Sequence, residues 1–288
     1  MASNILNFSN LRLAVLIDAE NVPQKCIKSV MEEIAIYGTP TIKRIYGDWT
    51  NPSISGWKIP LLENAITPIQ QYSYTTGKNS SDCAMIIDAM DILYTEKTDG
   101  FVIVSSDSDF TRLAIRLREA GQRVIGIGER KTPNPFIVAC DKFTYIEVIR
   151  ANAVETPATD AAASQPDSAS EQPNGAADQP EGASAKKSGQ SVAERTKPSR
   201  QRAKQQKVTR NVIRLIADSL SDISGEDGSV FMGELGNLIL KKQPDFDCRN
   251  FGFKNLSALI KSIGRFDVDF RQTSDPNIKH PYVRDREA

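Results

Sequence analysis

The stretch that decides the fold is Phe101-Val-Ile-Val-Ser-Ser-Asp-Ser-Asp-Phe-Thr-Arg-Leu113. It opens as an apolar run, 101–104, of the kind that forms a strand buried on both faces. It then turns polar, with two carboxylates two residues apart, Asp107 and Asp109. Beyond them Phe110, Leu113, Ala114 and Leu117 recur at helical spacing. The carboxylates therefore stand where a strand ends and a helix begins. In open α/β sheets the functional crevice lies outside the carboxyl ends of the strands. A single Asp or Ser would suffice to cap the helix. A pair, with further acids at matching points elsewhere, calls for more than a cap.

Working outward, residues 10–150 alternate between strand and helix patterns. Residues 11–17 are apolar apart from Arg12, as suits a central parallel strand, and Asp18-Ala-Glu-Asn21 follows it. A helix is expected from Pro23 to Tyr37, ended by Gly38. Strands are expected at 41–46, 68–74, 122–127 and 143–148, with a helix at 57–65. Asp82 opens another helix, whose apolar stripe reads as Cys83, Ile86, Ile87 and Met90. The alternation predicts an α/β fold, a mostly parallel, Rossmann-like sheet with helices on both faces.

Residues 151–205 read differently. Ala, Ser, Pro, Gln and Gly dominate, as in a disordered linker. Charge is segregated: residues 151–185 carry Glu155, Asp160, Asp167, Glu171, Asp178 and Glu181 with no Lys or Arg, and residues 186–210 carry Lys186, Lys187, Arg195, Lys197, Arg200, Arg202, Lys204, Lys207 and Arg210 against the single acid Glu194. Residues 207–285 then show apolar helical spacing at Val212, Leu215, Ile216 and Leu220. Helices at 231–240 and 253–263 come next, then an alternating strand at 266–270. That order predicts a small winged-helix domain.

Composition narrows the chemistry. The chain has 288 residues, enough for two small domains, and its 36 basic residues balance its 36 acidic ones. Cys26, Cys83, Cys140 and Cys248 form no CxxC pair and read as reduced thiols of a cytoplasmic protein. With His280 as the only histidine, a Cys/His zinc site is nearly excluded. No apolar run approaches membrane-spanning length, and no membrane role is expected.

Four carboxylates share a topological position. Asp18 follows the first strand, Asp107 and Asp109 follow the central one, and Asp82 opens a helix. If those two strands are neighbours, all four face one crevice. Clustered carboxylates repel, so their proton affinity rises or a cation binds. With no His or Cys in the set, the cation is expected to be Mg²⁺ or Mn²⁺. Such a centre can activate water and neutralise a phosphodiester.

The blocks Ile17-Asp-Ala-Glu-Asn-Val22, Lys78-Asn-Ser-Ser-Asp82 and Val104-Ser-Ser-Asp-Ser-Asp-Phe110 resemble, in order and spacing, the signature of the NYN domain family within the PIN-like ribonuclease superfamily. The resemblance implies metal-dependent endoribonuclease chemistry. By position it makes Asp18, Asp82, Asp107 and Asp109 the metal-binding acids, with Asn21 supporting the first block and Ser106 the third. Ser106 stands where many members have Gly. Asp88 matches a frequent acid of the family and is expected behind the metal ligands. The run Gly233-Glu-Leu-Gly236, Pro244-Asp-Phe-Asp247, Arg249, Phe251-Gly-Phe-Lys-Asn-Leu256 and Leu259 resembles the OST-HTH, or LOTUS, module, a winged helix that binds RNA or a protein partner. Lys254, Lys261, Arg265 and Arg271 gather around its last helix and wing as candidate phosphate contacts, and Lys78 joins them from the loop before Asp82. Two other readings stand beside an endoribonuclease with a tethered RNA-targeting module. One is a non-catalytic RNA-binding adaptor that keeps the acidic pocket. The other is a Toprim-type phosphoryl-transfer enzyme with Glu20 as base, in which Asp82 has no role.

Overall fold

The computed structural model describes residues 11–72, 80–95, 97–155, 206–225, 228–272 and 279–287. Its first part is a parallel sheet of strands β1 (Leu11–Asp18), β2 (Gly38–Gly47), β3 (Thr67–Gln70), β4 (Gly100–Val104), β5 (Arg123–Gly128) and β6 (Lys142–Tyr145). The order across the sheet is β3-β2-β1-β4-β5-β6, and every neighbouring pair is parallel. Strand alternation divides the core in two. Leu13, Val15 and Ile17 of β1, with Val102 and Val104 of β4, face helices α1 (Ile27–Ala35), α2 (Lys58–Asn64) and α6 (Ile146–Glu155). Ala14 and Leu16, with Phe101 and Ile103, face α3 (Ser80–Thr95), α4 (Thr111–Glu119) and α5 (Asn134–Ala139). Both faces are covered, which is why β1 and β4 read as unbroken apolar runs. The chain leaves β1 toward β2 and returns to β4 on the other side, so a switch point lies between the ends of β1 and β4.

Four details depart from the sequence reading. The last strand stops at Tyr145, and Ile146 and Ile149 belong to α6, buried at helical spacing. α6 runs to Glu155 and takes the first five residues of the stretch expected as linker; the remainder, 156–205, lies outside the described residues. β3 is short, Thr67–Gln70. The buried stripe of α3 is Met85, Ala89 and Ile92, whereas Cys83 and Ile87 are exposed. That helix is apolar nearly all round, so its periodicity does not choose a face.

The C-terminal part comprises α7 (Arg210–Ile223), β7 (Ser229–Phe231), α8 (Met232–Lys242), α9 (Leu256–Ile263), β8 (Phe266–Gln272) and β9 (Lys279–Asp285). Its antiparallel sheet has the order β7-β9-β8. Val212, Ile216, Leu220, Leu235, Ile239, Leu259, Ile260 and Val283 form its core. This is the winged-helix order. No helix among the described residues is long and apolar enough to cross a membrane.

Candidate metal centre

β1 and β4 run side by side, with Ile17 paired to Val104, so their next residues emerge together. These are Asp18 and Ser105. Asp18 is buried and has four donors: the backbone N–H groups of Glu20 (3.0 Å) and Asn21 (3.3 Å) on Oδ1, and Asn21 Nδ2 (2.7 Å) and Ser105 Oγ (2.9 Å) on Oδ2. A carboxylate offers about four lone-pair sites, so the Asp18 turn is internally satisfied. Ser105 also accepts the Asp107 N–H (3.1 Å), which ties the β1 loop to the β4 loop through one hydroxyl. Gly128 closes the third side. A Cβ there would lie 2.6 Å from the Ser105 carbonyl oxygen, so the end of β5 approaches this loop more closely than any side chain permits.

Asp107 caps the short 3₁₀ turn Ser108–Phe110 by accepting the Asp109 N–H at 2.9 Å. The cap reading is thus realised, and it occupies one oxygen of the pair. Phe110, fully buried, pins the turn to the core. Asp82 stands in the first turn of α3, one turn before Met85 on the buried stripe. Carboxylate oxygens of Asp82, Asp107 and Asp109 lie within 4.8 Å of one another. Asp82 is buried, Asp107 half-buried and Asp109 exposed. Burial, then the charges of Asp18, Asp107, Asp109 and Glu20, push the Asp82 carboxyl up to about 7.

This cluster fits a hard divalent ion. Oxygens on opposite sides of an octahedral Mg²⁺ lie about 4.2 Å apart and those on adjacent corners about 3 Å, so the three acids, now within 4.8 Å, would draw together by up to roughly 2 Å to share one ion. Asp18 stands outside that group of three, and the Asn21 side chain donates to Asp18.

The other expected residues are placed as follows. Ser106 Oγ accepts the Glu129 N–H (2.8 Å) from the loop after β5. Asp88 accepts from Arg44 and from the buried Tyr46 hydroxyl, so it fastens α3, and with it Asp82, to β2. Lys78 lies outside the described residues. Lys254 is exposed. Lys261 covers the exposed Phe270 ring (5.1 Å). Arg271 covers Tyr282 (4.5 Å) and donates to Ser229 Oγ (2.6 Å), on the outer face of the small sheet. Arg265 is held by Asp285 and Glu287, which neutralise it. The basic residues thus divide between two faces. The residue that sequence reasoning missed is Ser105. Its signal was its place as the first polar residue after β4, but its role needs the β1–β4 register.

The chain can be set beside known proteins. No curated protein matches it. A crystal structure of a protein of unknown function from Vibrio parahaemolyticus aligns at 20% identity and TM-score 0.42, covering 51% of this chain and 96% of that one. A solution structure of an uncharacterized protein from Nitrosomonas europaea aligns at 28% identity and TM-score 0.26, covering 33% of this chain and 89% of that one. Two family models match in succession. The chain carries an NYN domain, a PIN-like nuclease domain, over residues 12–147, followed by an OST-HTH/LOTUS domain, an RNA-binding module, over residues 203–278.

Proposed function

We propose that the protein is a Mg²⁺- or Mn²⁺-dependent endoribonuclease that cleaves RNA phosphodiester bonds at the crevice between β1 and β4. The observation that carries this reading is the convergence of Asp82, Asp107 and Asp109 within 4.8 Å. These three would hold the ion, and a bound divalent ion supplies an activated water and neutralises the phosphodiester. Asp18, with every lone pair engaged, acts through the field it adds to the crevice and through Ser105. Asn21 fixes the Asp18 rotamer. Burial and the neighbouring acids raise the Asp82 carboxyl to about 7, and a cation held by the three acids would favour its ionised form. Lys254, Lys261 and Arg271 are offered as phosphate contacts. Arg265 is left out because its charge is already met by Asp285 and Glu287.

The test is cleavage of single-stranded RNA by wild type and Asp107→Asn, with Mn²⁺, with Mg²⁺ and with chelator, and with single-stranded DNA in parallel. Metal-dependent cuts in RNA that vanish in Asp107→Asn support the proposal. Cleavage that survives chelator, or an equally active Asp107→Asn, overturns it. RNA binding without cleavage under every metal condition would assign the chain to non-catalytic binding instead.

A further inference from the structure

Helix α1 buries Ile27, Val30 and Ile34 at helical spacing, and Glu33 shares that side at 5% exposure. A carboxylate in an apolar stripe is costly unless it is paired and hydrogen-bonded. Its partner comes from the C-terminal domain, 216 residues away. Arg249 makes a bidentate pair with Glu33, Nη1 to Oε2 and Nη2 to Oε1, both at 2.7 Å. The same guanidinium holds Asp247 through Nε (3.0 Å) and Nη2 (2.6 Å). The Tyr37 hydroxyl donates to Glu33 (2.6 Å) and contacts Thr144 Oγ1 (3.3 Å), and the Lys142 ammonium lies over the Tyr37 ring at 5.1 Å. Two carboxylates and two cations thus cancel in a largely buried cluster. Burial works to raise the Glu33 carboxyl, and the Arg249 and Tyr37 hydrogen bonds outweigh it, so the group is held below its usual range.

Around the cluster, the 244–250 turn covers the end strand of the parallel sheet. The β6 backbone N–H of Phe143 donates to the Pro244 carbonyl (2.9 Å). The Tyr145 hydroxyl donates to Asp245 (2.8 Å), and Arg130, stacked on Tyr145 at 5.2 Å, reaches Asn250 Oδ1 (3.4 Å). An uncovered edge strand invites pairing with other chains. Proline, with no N–H of its own, meets this edge without extending the ladder.

We infer that the 244–250 turn is a docking plug for the edge of β6, that Arg249 is the residue that secures it, and that the chain's own C-terminal domain is thereby fixed to the NYN domain as one body. The expected freely tethered module is replaced by a docked one. The docking holds whether or not the crevice cuts RNA. Arg249 is suited to the task because a planar bidentate fork matches a carboxylate in a way that a lysine does not. Apart, Glu33 loses its bidentate donor and Arg249 loses one of its two carboxylates, so each side of the cluster is left with unmet hydrogen-bonding groups that the other supplies.

The test uses the full chain with a recognition sequence for a site-specific protease inserted between residues 156 and 202. After cutting, the two halves are followed by size-exclusion chromatography with light scattering. The wild-type halves should stay together at the mass of one chain. In Arg249→Met, and independently in Glu33→Ala, they should separate, with the affinity between halves falling about a hundredfold or more. Thermal unfolding of each separated half shows that it remains folded, and the paired variants on opposite domains guard against one failing to fold. Arg214→Ala, on an exposed surface pair away from the turn, should not release them. Wild-type halves that part on cutting, halves that elute at twice the mass through exchange between copies, or Arg249→Met and Glu33→Ala halves that stay joined would each overturn the inference.

Discussion

Replacing Asp82 with Asn should make the cation-free protein more stable at neutral and alkaline pH. In the folded crevice the Asp82 carboxyl is raised from 3.8 to about 7. Between those two values the folded state binds more protons than the unfolded state, so stability falls as pH rises through this window. At about 1.4 kcal/mol per tenfold change in proton affinity, the full gap corresponds to a ceiling of about 4 kcal/mol. The true figure is smaller, because Asp107 is half-buried and Asp109 exposed, so water screens their share of the repulsion. An effect of about 2 kcal/mol is expected.

The assay is urea unfolding in chelator at steps from pH 4.5 to pH 8, for wild type and Asp82→Asn. The quantity of interest is the difference between the two proteins, from which groups remote from the crevice drop out. The variant should gain on the wild type steadily across pH 4.5–7.5 and level off above. Saturating Mn²⁺ at pH 8 should then reverse the order. A ligand at a hundred times its Kd stabilises by about 2.7 kcal/mol, and only the wild type keeps all three acids. Parallel stability curves for the two proteins would refute the reasoning, because Asp82 would then carry no repulsion that a cation could relieve.

Asp107→Asn and Asp109→Asn should each abolish RNA cleavage while the circular dichroism spectrum is unchanged; full activity in both would move the site elsewhere. Ser105→Ala removes the hydroxyl that bridges Asp18 and the Asp107 N–H, and should cost about 1–3 kcal/mol in urea unfolding and lower cleavage at least tenfold. Arg249→Met should broaden the spacing between a bound RNA end and the cut, read on sequencing gels, because a released domain no longer holds RNA at a fixed distance from the crevice. Lys78→Gln should weaken RNA binding and flatten its dependence on salt, measured as binding isotherms at several salt concentrations.

The sheet and the positions of the acids were legible because both follow from local pattern. Apolar runs buried on both faces announce β1 and β4, and the carboxylates stand at the one place where such a sheet leaves room for chemistry. α3 was legible as a helix but not in its rotation, since apolar residues surround it and only packing against β1 and β2 selects Met85, Ala89 and Ile92. Ser105 was on the page from the start as one of two adjacent serines. Which serine bridges the loops depends on Ile17 pairing with Val104, and parallel register is not written in any local stretch.

Glu33 marks the harder limit. In sequence it is one acid of a Glu-Glu pair on an amphipathic helix, where exposure would be the natural reading for both. In the structure Glu33 lies on the buried side, at a position that an apolar residue could fill as far as the NYN domain alone is concerned. Its reason is a guanidinium 216 residues away. A buried charge adds less stability than a well-packed apolar side chain, but it is far less tolerant of the wrong partner. An apolar residue at 33 would cover β6 with almost any greasy surface, including another copy of the chain. A carboxylate there accepts only a surface that brings its own cation in the right geometry. Arg249, itself oriented by Asp247, is such a surface. The same physics that hid Glu33 from a local reading is what makes the docking selective.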